Sequence, residues 1–190
     1  LKPSEHWAGL QGETPSAGDF SGNLKVAWDD GSMYVAIEVT DDVQANQYDP
    51  DTMWMGDSVQ VAIDSQNNKS GGYDGNDWEV GVAILDGVAS TGCWHKPDGY
   101  GGCPVQVAAN RVGDTTTYEM KIPGEYASTV GFSLLVNEDD GEGREGWLEW
   151  TPGIGFGKAP SLYGDVNLVD EYVPPVEQPV VPDTGGQPDI

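Results

Sequence analysis

WMGDSVQVAID, residues 54–64, decides the fold. Val59, Val61 and Ile63 point one way while Ser58, Gln60 and Ala62 point the other, the period of two of a half-buried strand. One face is therefore expected to enter a core. Trp54 and Asp57 precede the strand, where a side chain can be held by a rigid sheet and still reach a ligand, and Asp64 closes it.

On the N-terminal side, Leu24, Val26 and Trp28 alternate with polar or small residues, Asp29-Asp30-Gly31-Ser32 supplies a turn, and Met33, Val35, Ile37 and Val39 alternate again, which reads as a hairpin. A polar loop over 41–53 leads to the central strand. On the C-terminal side SQNNKSGGYDGND (65–77) is a loop, and Trp78, Val80, Val82 and Ile84 alternate with Glu79, Gly81 and Ala83 in a strand that ends at an Asp86-Gly87 turn. Val105, Val107 and Ala109, then Tyr118, Met120 and Ile122, form two strands joined across Gly113-Asp114; Phe132, Leu134 and Val136 make another. Leu148 and Trp150 share a face, and Val166 and Leu168 close the domain. Trp28, Trp78 and Trp150 are expected in the core. No window carries amphipathic helical spacing over three turns, so the expected fold class is all-β, a two-sheet antiparallel β-sandwich of the jelly-roll or immunoglobulin-like kind.

The 190 residues suffice for one domain with a full core. Residues 1–170 are expected to form it, with His6-Trp7 anchoring an irregular entry segment. Residues 171–190 hold five of the thirteen prolines and read as an extended linker to further domains of the same polypeptide. Leu1 is no start residue and no signal peptide is visible, so the chain is either mature or excised from something larger.

Eight Lys+Arg against 32 Asp+Glu give a formal charge of -24, which repels nucleic-acid phosphates and anionic membranes, and no apolar run approaches the ~20 residues of a membrane helix. Calcium ligands, adaptation to salty surroundings and a cationic partner are the three readings of this acidity. Cys93 and Cys103 bracket a glycine-rich loop and are expected to pair, the alternative being two separate buried thiols. Closing so short a loop stabilises by a little under ~3 kcal/mol in the chain-entropy model and implies an oxidising, extracellular or cell-surface setting.

Neither His6 nor His95 lies in a nucleophile motif, 32 acids always offer some carboxylate pair, and GIGFGK (153–158) runs into Ala159-Pro160 rather than the helix a phosphate loop requires. Catalysis is not expected. For calcium, Asp64, Asn67, Asp74 and Asp77, with Asn68 and Asn76, offer hard oxygen ligands in one loop; Asp41-Asp42 and 138–140, with Asp139, form further carboxylate groups. A solvated acidic loop is the alternative at each, and at least one calcium site is expected. Seven Trp and eight Tyr suit sugar rings, whose C–H faces pack on aromatic planes. Trp54, Trp94, Tyr100 and Phe156 are placed in loops, with Trp54 and Phe156 as first choice.

LKVAWDDGSMYVAIEVTDD (24–42) followed by WMGDSVQVAID resembles the carbohydrate-binding modules of family 9 and the wider DOMON-like sandwiches; GFSLLVNEDD (131–140), REGWLEW (144–150) and YGDVNL (163–168) follow in that family's order. The resemblance implies a non-catalytic module that binds poly- or oligosaccharide, carries calcium and is attached to a secreted polysaccharide-degrading enzyme. It puts Trp54 and Phe156 at the two rings of an aromatic clamp and Gln60 as a polar contact. Gln60 stands where a Glu is expected, Gly81 where an Arg is expected and Leu135 where an amide is expected, so the hydrogen bonds that specify the ligand are altered. Two alternatives are a structural or adhesive spacer of the same fold and a haem-binding electron-transfer domain using Met53 or Met55 with His95 as axial ligands.

Overall fold

Alternating apolar residues become strands at nearly every place where the sequence shows them. The computed structural model describes residues 1–3, 16–155 and 157–169. The expectations placed on His6-Trp7, on Phe156 and on the tail 171–190 lie outside the described residues. The strands in chain order are β1 (Lys2–Pro3), β2 (Phe20–Asp29), β3 (Ser32–Asp41), β4 (Ser58–Asp64), β5 (Asp77–Leu85) and β6 (Val88–His95), then β7 (Gln106–Val112), β8 (Thr115–Pro123), β9 (Thr129–Glu138), β10 (Gly146–Glu149) and β11 (Gly164–Asn167). The only helical segments among the described residues are single 3-10 turns at Met53–Met55 and Pro160–Leu162.

All pairings are antiparallel. One sheet runs β1-β10-β9-β4-β5-β6, with β11 sharing the β10 edge of β9, and the other runs β2-β3-β8-β7. The chain is an all-β two-sheet sandwich. Val59, Val61, Ile63, Trp78, Val80, Val82, Phe132 and Leu134 from the first sheet meet Met33, Val35, Ile37, Tyr118, Met120 and Ile122 from the second in one continuous core.

The central strand departs from expectation on its other face. Every residue of β4 is buried, because loops cover the side that alternation left polar. Ala62 and Leu135 pack there with Trp147, Ile154 and Tyr163, and Ala83 and Leu85 pack with Met53. Tryptophan placement also differs. Trp78 is fully buried and Trp28 half-buried, but Trp150 lies beyond the end of β10 and is 36% exposed, while Trp147 is the buried indole.

Strand β6 is the element missed. Its residues VASTGCWH are small and polar, too weakly apolar to stand out from a turn region, yet they continue the β4-β5 ladder by a tight turn at Asp86 and Gly87, both at positive φ. Trp94 is therefore held on a strand, not in a loop. Cys93 and Cys103 form the expected disulfide, with a Cα–Cα distance of 5.7 Å, and staple β6 to the segment that crosses to the second sheet. The two-thiol alternative falls.

Candidate functional site

Register builds the site. Leu135, Gln60, Gly81 and Gly92 lie opposite one another across β9, β4, β5 and β6, forming a single row on the outer face of the larger sheet. Sequence reasoning placed three members of this row at the positions where ligand-specifying polar groups are expected. Only Gln60 is polar. The next row carries Glu79, opposite Ala62, so the acidic group stands two residues earlier on the neighbouring strand.

Gln60 Nε2 donates to Glu79 Oε1 at 3.3 Å, and Asn137 Nδ2 donates to Gln60 Oε1 at 3.3 Å and to Ser58 Oγ at 2.9 Å. Glu79 is 2% exposed and is paired with the Lys158 ammonium, which also donates to the Ile154 carbonyl at 3.3 Å. A buried carboxylate needs such partners, since an unpaired one would cost several kcal/mol. The floor is thus a connected polar network with its charge balanced.

Gly81 has no side chain because Trp94 occupies the space. A Cβ at Gly81 would sit 2.6 Å from Trp94 Cη2, and one at Gly92 would sit 3.1 Å from Trp94 Cζ2. The indole lies over both glycines, and its Nε1 donates to the Asp51 carbonyl at 2.9 Å. Trp54, on the 3-10 turn before β4, is 38% exposed. Arg144, in the loop before β10, places its guanidinium 5.6 Å from the Trp54 ring centre and 4.2 Å from that of Trp147, with Nε and Nη2 buried and without acceptors. Burial pulls the Arg144 pKa down to about 10. Together Trp54, Gln60, Glu79, Trp94, Arg144, Ile154, Gly155, Gly157 and Lys158 line a cavity of about 340 Å³.

Of the sequence candidates, the structure brings Trp54, Gln60 and Trp94 together. Tyr100 goes elsewhere, its ring 5.0 Å from that of Trp78 against the inter-sheet core. Phe156 is outside the described residues, though its sequence neighbours Gly155 and Gly157 line the cavity. Asp57 does not reach a ligand: it is buried, accepting the Asp139 amide at 2.8 Å and the Ala45 amide, and so ties two loops to the start of β4. His95 bonds through Nε2 with the Asp74 carbonyl at 2.8 Å and stacks on Tyr73, and neither it nor Met53 or Met55 lines the cavity.

Glu79, Arg144, Lys158 and Asn137 were missed. Glu79 had a signal, since it shares a strand face with Gly81; Arg144 and Lys158 come from distant loops and carried none.

The oxygen-rich residues divide between two places. At the first, Asp64 and Asp77 face each other at the ends of β4 and β5, both fully buried. Asp64 accepts the amides of Asn68 (3.1 Å) and Lys69 (2.8 Å), and Asp77 Oδ2 accepts that of Asp74 (2.7 Å), while Asp77 Oδ1 and Asn67 Oδ1 are buried without partners. Burial pushes Asp77 up to about 6. Asp74 bonds to Asn68 and Asn76 at the exposed rim of this loop.

Asp139 belongs to the second place. Its Oδ1 accepts the amides of Gly141 (2.7 Å) and Gly143 (2.8 Å), which leaves Oδ2 buried without a partner, as is Glu138 Oε2. Around it, Asp41, Asp42 and Asp140 form one carboxylate group with oxygens within 4.8 Å, and Glu138, Asp140 and Glu145 form another. Burial and then the neighbouring acids Glu145 and Asp140 push Glu138 up to about 8; burial pushes Asp41 to about 6. Hard oxygen donors with uncompensated negative charge suit calcium chemically.

A family model described as carbohydrate family 9 binding domain-like matches residues 3–171. Endo-1,4-beta-xylanase A of Thermotoga maritima is 25% identical over 155 residues, which cover 77% of this chain and 14% of that protein. Exoglucanase XynX of Acetivibrio thermocellus is 27% identical over 128 residues, 66% of this chain and 11% of that protein. The chain thus spans only a small part of the curated relatives it matches. Among solved structures, a family 9 carbohydrate-binding module from Caldicellulosiruptor kristjanssonii in complex with cellotriose superposes with a TM-score of 0.67 at 22% identity, covering 93% of each chain. The same organism's module in complex with glucose gives 0.65 at 22% identity, covering 90% of this chain and 92% of that one. On the extent of the family match, this chain belongs to the carbohydrate family 9 binding domain-like family, whose members are non-catalytic carbohydrate-binding modules.

Proposed function

We propose that the domain seats a sugar in the cavity between Trp54 and Trp94, with the Gln60–Glu79–Asn137 network beneath it. The observation that carries this reading is the joining of half-exposed indoles to a buried, charge-balanced polar floor in one cavity. Apolar C–H faces of a pyranose pack on the rings, while its hydroxyls meet side-chain donors and acceptors. Phe156 is a further platform on this account, because Gly155 and Gly157 line the rim. The structural neighbours that hold cellotriose and glucose support a glucose-containing saccharide as the ligand class.

Calcium is part of the proposal as a structural ion. Asp64, Asn67 and Asp77 would hold it at the β4-β5 loop, where two buried oxygens have no partner, and the group around Glu138, Asp139 and Asp140 would hold it beside β9. The ion would supply positive charge that those oxygens lack among the described residues. The module belongs, on this reading, to a larger extracellular polysaccharide-degrading or cell-surface protein, joined through residues 171–190. The disulfide supports an oxidising compartment, and no helix among the described residues is long and apolar enough to cross a membrane.

Affinity electrophoresis against plant and algal polysaccharides, with calcium and then with chelator, tests the reading. Retardation by a glucan or xylan, weakened by chelator, is the expected result. A folded protein that no polysaccharide retards would favour the spacer and reduce the family match to a statement about fold.

A further inference from the structure

Eight basic residues serve a chain with a formal charge of -24, and two of them, Arg144 and Lys158, line one cavity. Lys158 is spent on Glu79. Arg144 has no carboxylate partner among the described residues, and burial pulls its pKa down. The guanidinium carbon lies over the rings of Trp147 and Trp54, 4.2 and 5.6 Å from their centres, contacts that supply no acceptor to its N–H groups. Two of its nitrogens, Nε and Nη2, are buried without an acceptor. Such donors are costly to leave unmet, and a guanidinium suits the two oxygens of a carboxylate better than a neutral hydroxyl.

Resting on the carbohydrate-binding reading above, we propose that the ligand this cavity prefers is a pyranose bearing a carboxylate, a uronic acid, with its ring against Trp54 and Trp94 and its carboxylate on Arg144. A neutral hydroxyl satisfies one donor at most and returns no charge to the guanidinium. A carboxylate placed where Arg144 lines the cavity supplies the counter-charge the guanidinium lacks and neutralises the cavity, whose Glu79–Lys158 pair is already balanced. The overall negative charge of the protein opposes an anion at long range, but at physiological ionic strength it is screened beyond ~8 Å.

The test is a calorimetric or NMR titration at pH 7 in 0.15 M salt with four monosaccharides, glucose against glucuronate and galactose against galacturonate, and with cellobiose as the neutral control. At least one uronate is expected to bind about tenfold more tightly than its neutral counterpart, the factor of one added charge-assisted pair. Arg144→Gln should erase that ratio, bringing the two sugars of the pair within about threefold of each other. Binding of cellobiose or glucose with no uronate preference overturns the inference and leaves the carbohydrate reading standing. Silence with all five sugars overturns both. The wild-type ratio decides the matter even if the variant folds poorly.

Discussion

Replacing Gly81 by Ala adds one methyl group where Trp94 already stands. The new Cβ would lie 2.6 Å from Cη2 and 2.8 Å from Cζ3 of the indole, and 3.0 Å from the Val59 carbonyl oxygen. Carbon atoms rest at about 3.5–4.0 Å, so the ring must retreat by about 1 Å. The Val59 carbonyl belongs to the paired β4 backbone and yields little. Overpacking of this kind costs about 1–3 kcal/mol, and the retreating indole stretches its 2.9 Å bond to Asp51. The wall of the cavity moves with the ring, so cellobiose affinity should fall about tenfold or more while the domain stays folded at 25 °C. Calorimetric titration reads the affinity, and urea unfolding followed by tryptophan fluorescence reads the stability. Gly71→Ala is the control, because nothing lies within 4 Å of its added Cβ, and both readouts should be unchanged. A Gly81→Ala protein that binds cellobiose like the wild type would refute the reasoning, since the ring of Trp94 would then be neither displaced nor needed.

Trp54→Ala should abolish detectable sugar binding yet lower stability by only about 1 kcal/mol, because the indole is 38% exposed and the Arg144 cation lies 5.6 Å from its ring centre; a collapsed melting transition would instead make Trp54 a core residue. Lys158→Met leaves the buried Glu79 carboxylate without its counter-charge, and urea denaturation should show a loss of about 1–3 kcal/mol, below the full value for a buried pair because the Lys158 side chain is 47% exposed. In chelator, stability should fall as pH rises from 5 to 9. Asp41, Asp77 and Glu138 have folded pKa values near 6, 6 and 8, above their ordinary ones, so the folded state binds the extra protons and loses that advantage as pH climbs through those values. Calcium should flatten or reverse the trend in thermal melts, and a melting temperature indifferent to both pH and calcium would remove the ion from the account.

Strands were legible wherever alternation used large apolar residues. Val59, Val61 and Ile63 mark β4 to its observed ends, and the Met33 to Val39 run marks β3, because a period of two has no other stable reading beside turn residues. Strand β6 was not legible, since Ala89, Ser90, Thr91 and Gly92 carry almost no hydrophobic signal and owe their conformation to the ladder with β5. The exposure of Trp150 was hidden for a related reason: β10 ends at Glu149, and alternation says nothing about where pairing stops.

The site was half legible. Trp54 and Gln60 could be singled out because both belong to one short stretch. Glu79, Arg144 and Lys158 join them only through the register of β4 with β5 and through loops about 80 residues apart or more in sequence, and no local pattern encodes such a meeting. The substitution of Gly for an expected Arg at position 81 looked like a loss. In the fold it makes room for Trp94, while a guanidinium enters the cavity from Arg144 instead. Acidic residues were readable as groups but not as sites: Asp139 falls near Glu138 and Asp140, far along the chain from Asp64, and only burial shows which oxygens lack partners.

The central claim, that the cavity beside Trp54 and Trp94 receives the sugar, is tested most directly by following the indole N–H signals in a two-dimensional NMR titration with cellobiose. Single Trp→Phe variants assign the signals. The account predicts that the Trp54 and Trp94 resonances move together with one saturation curve while those of Trp28 and Trp150, which lie outside the cavity, stay in place. Shifts confined to Trp28 or Trp150 would put the binding surface elsewhere and contradict it.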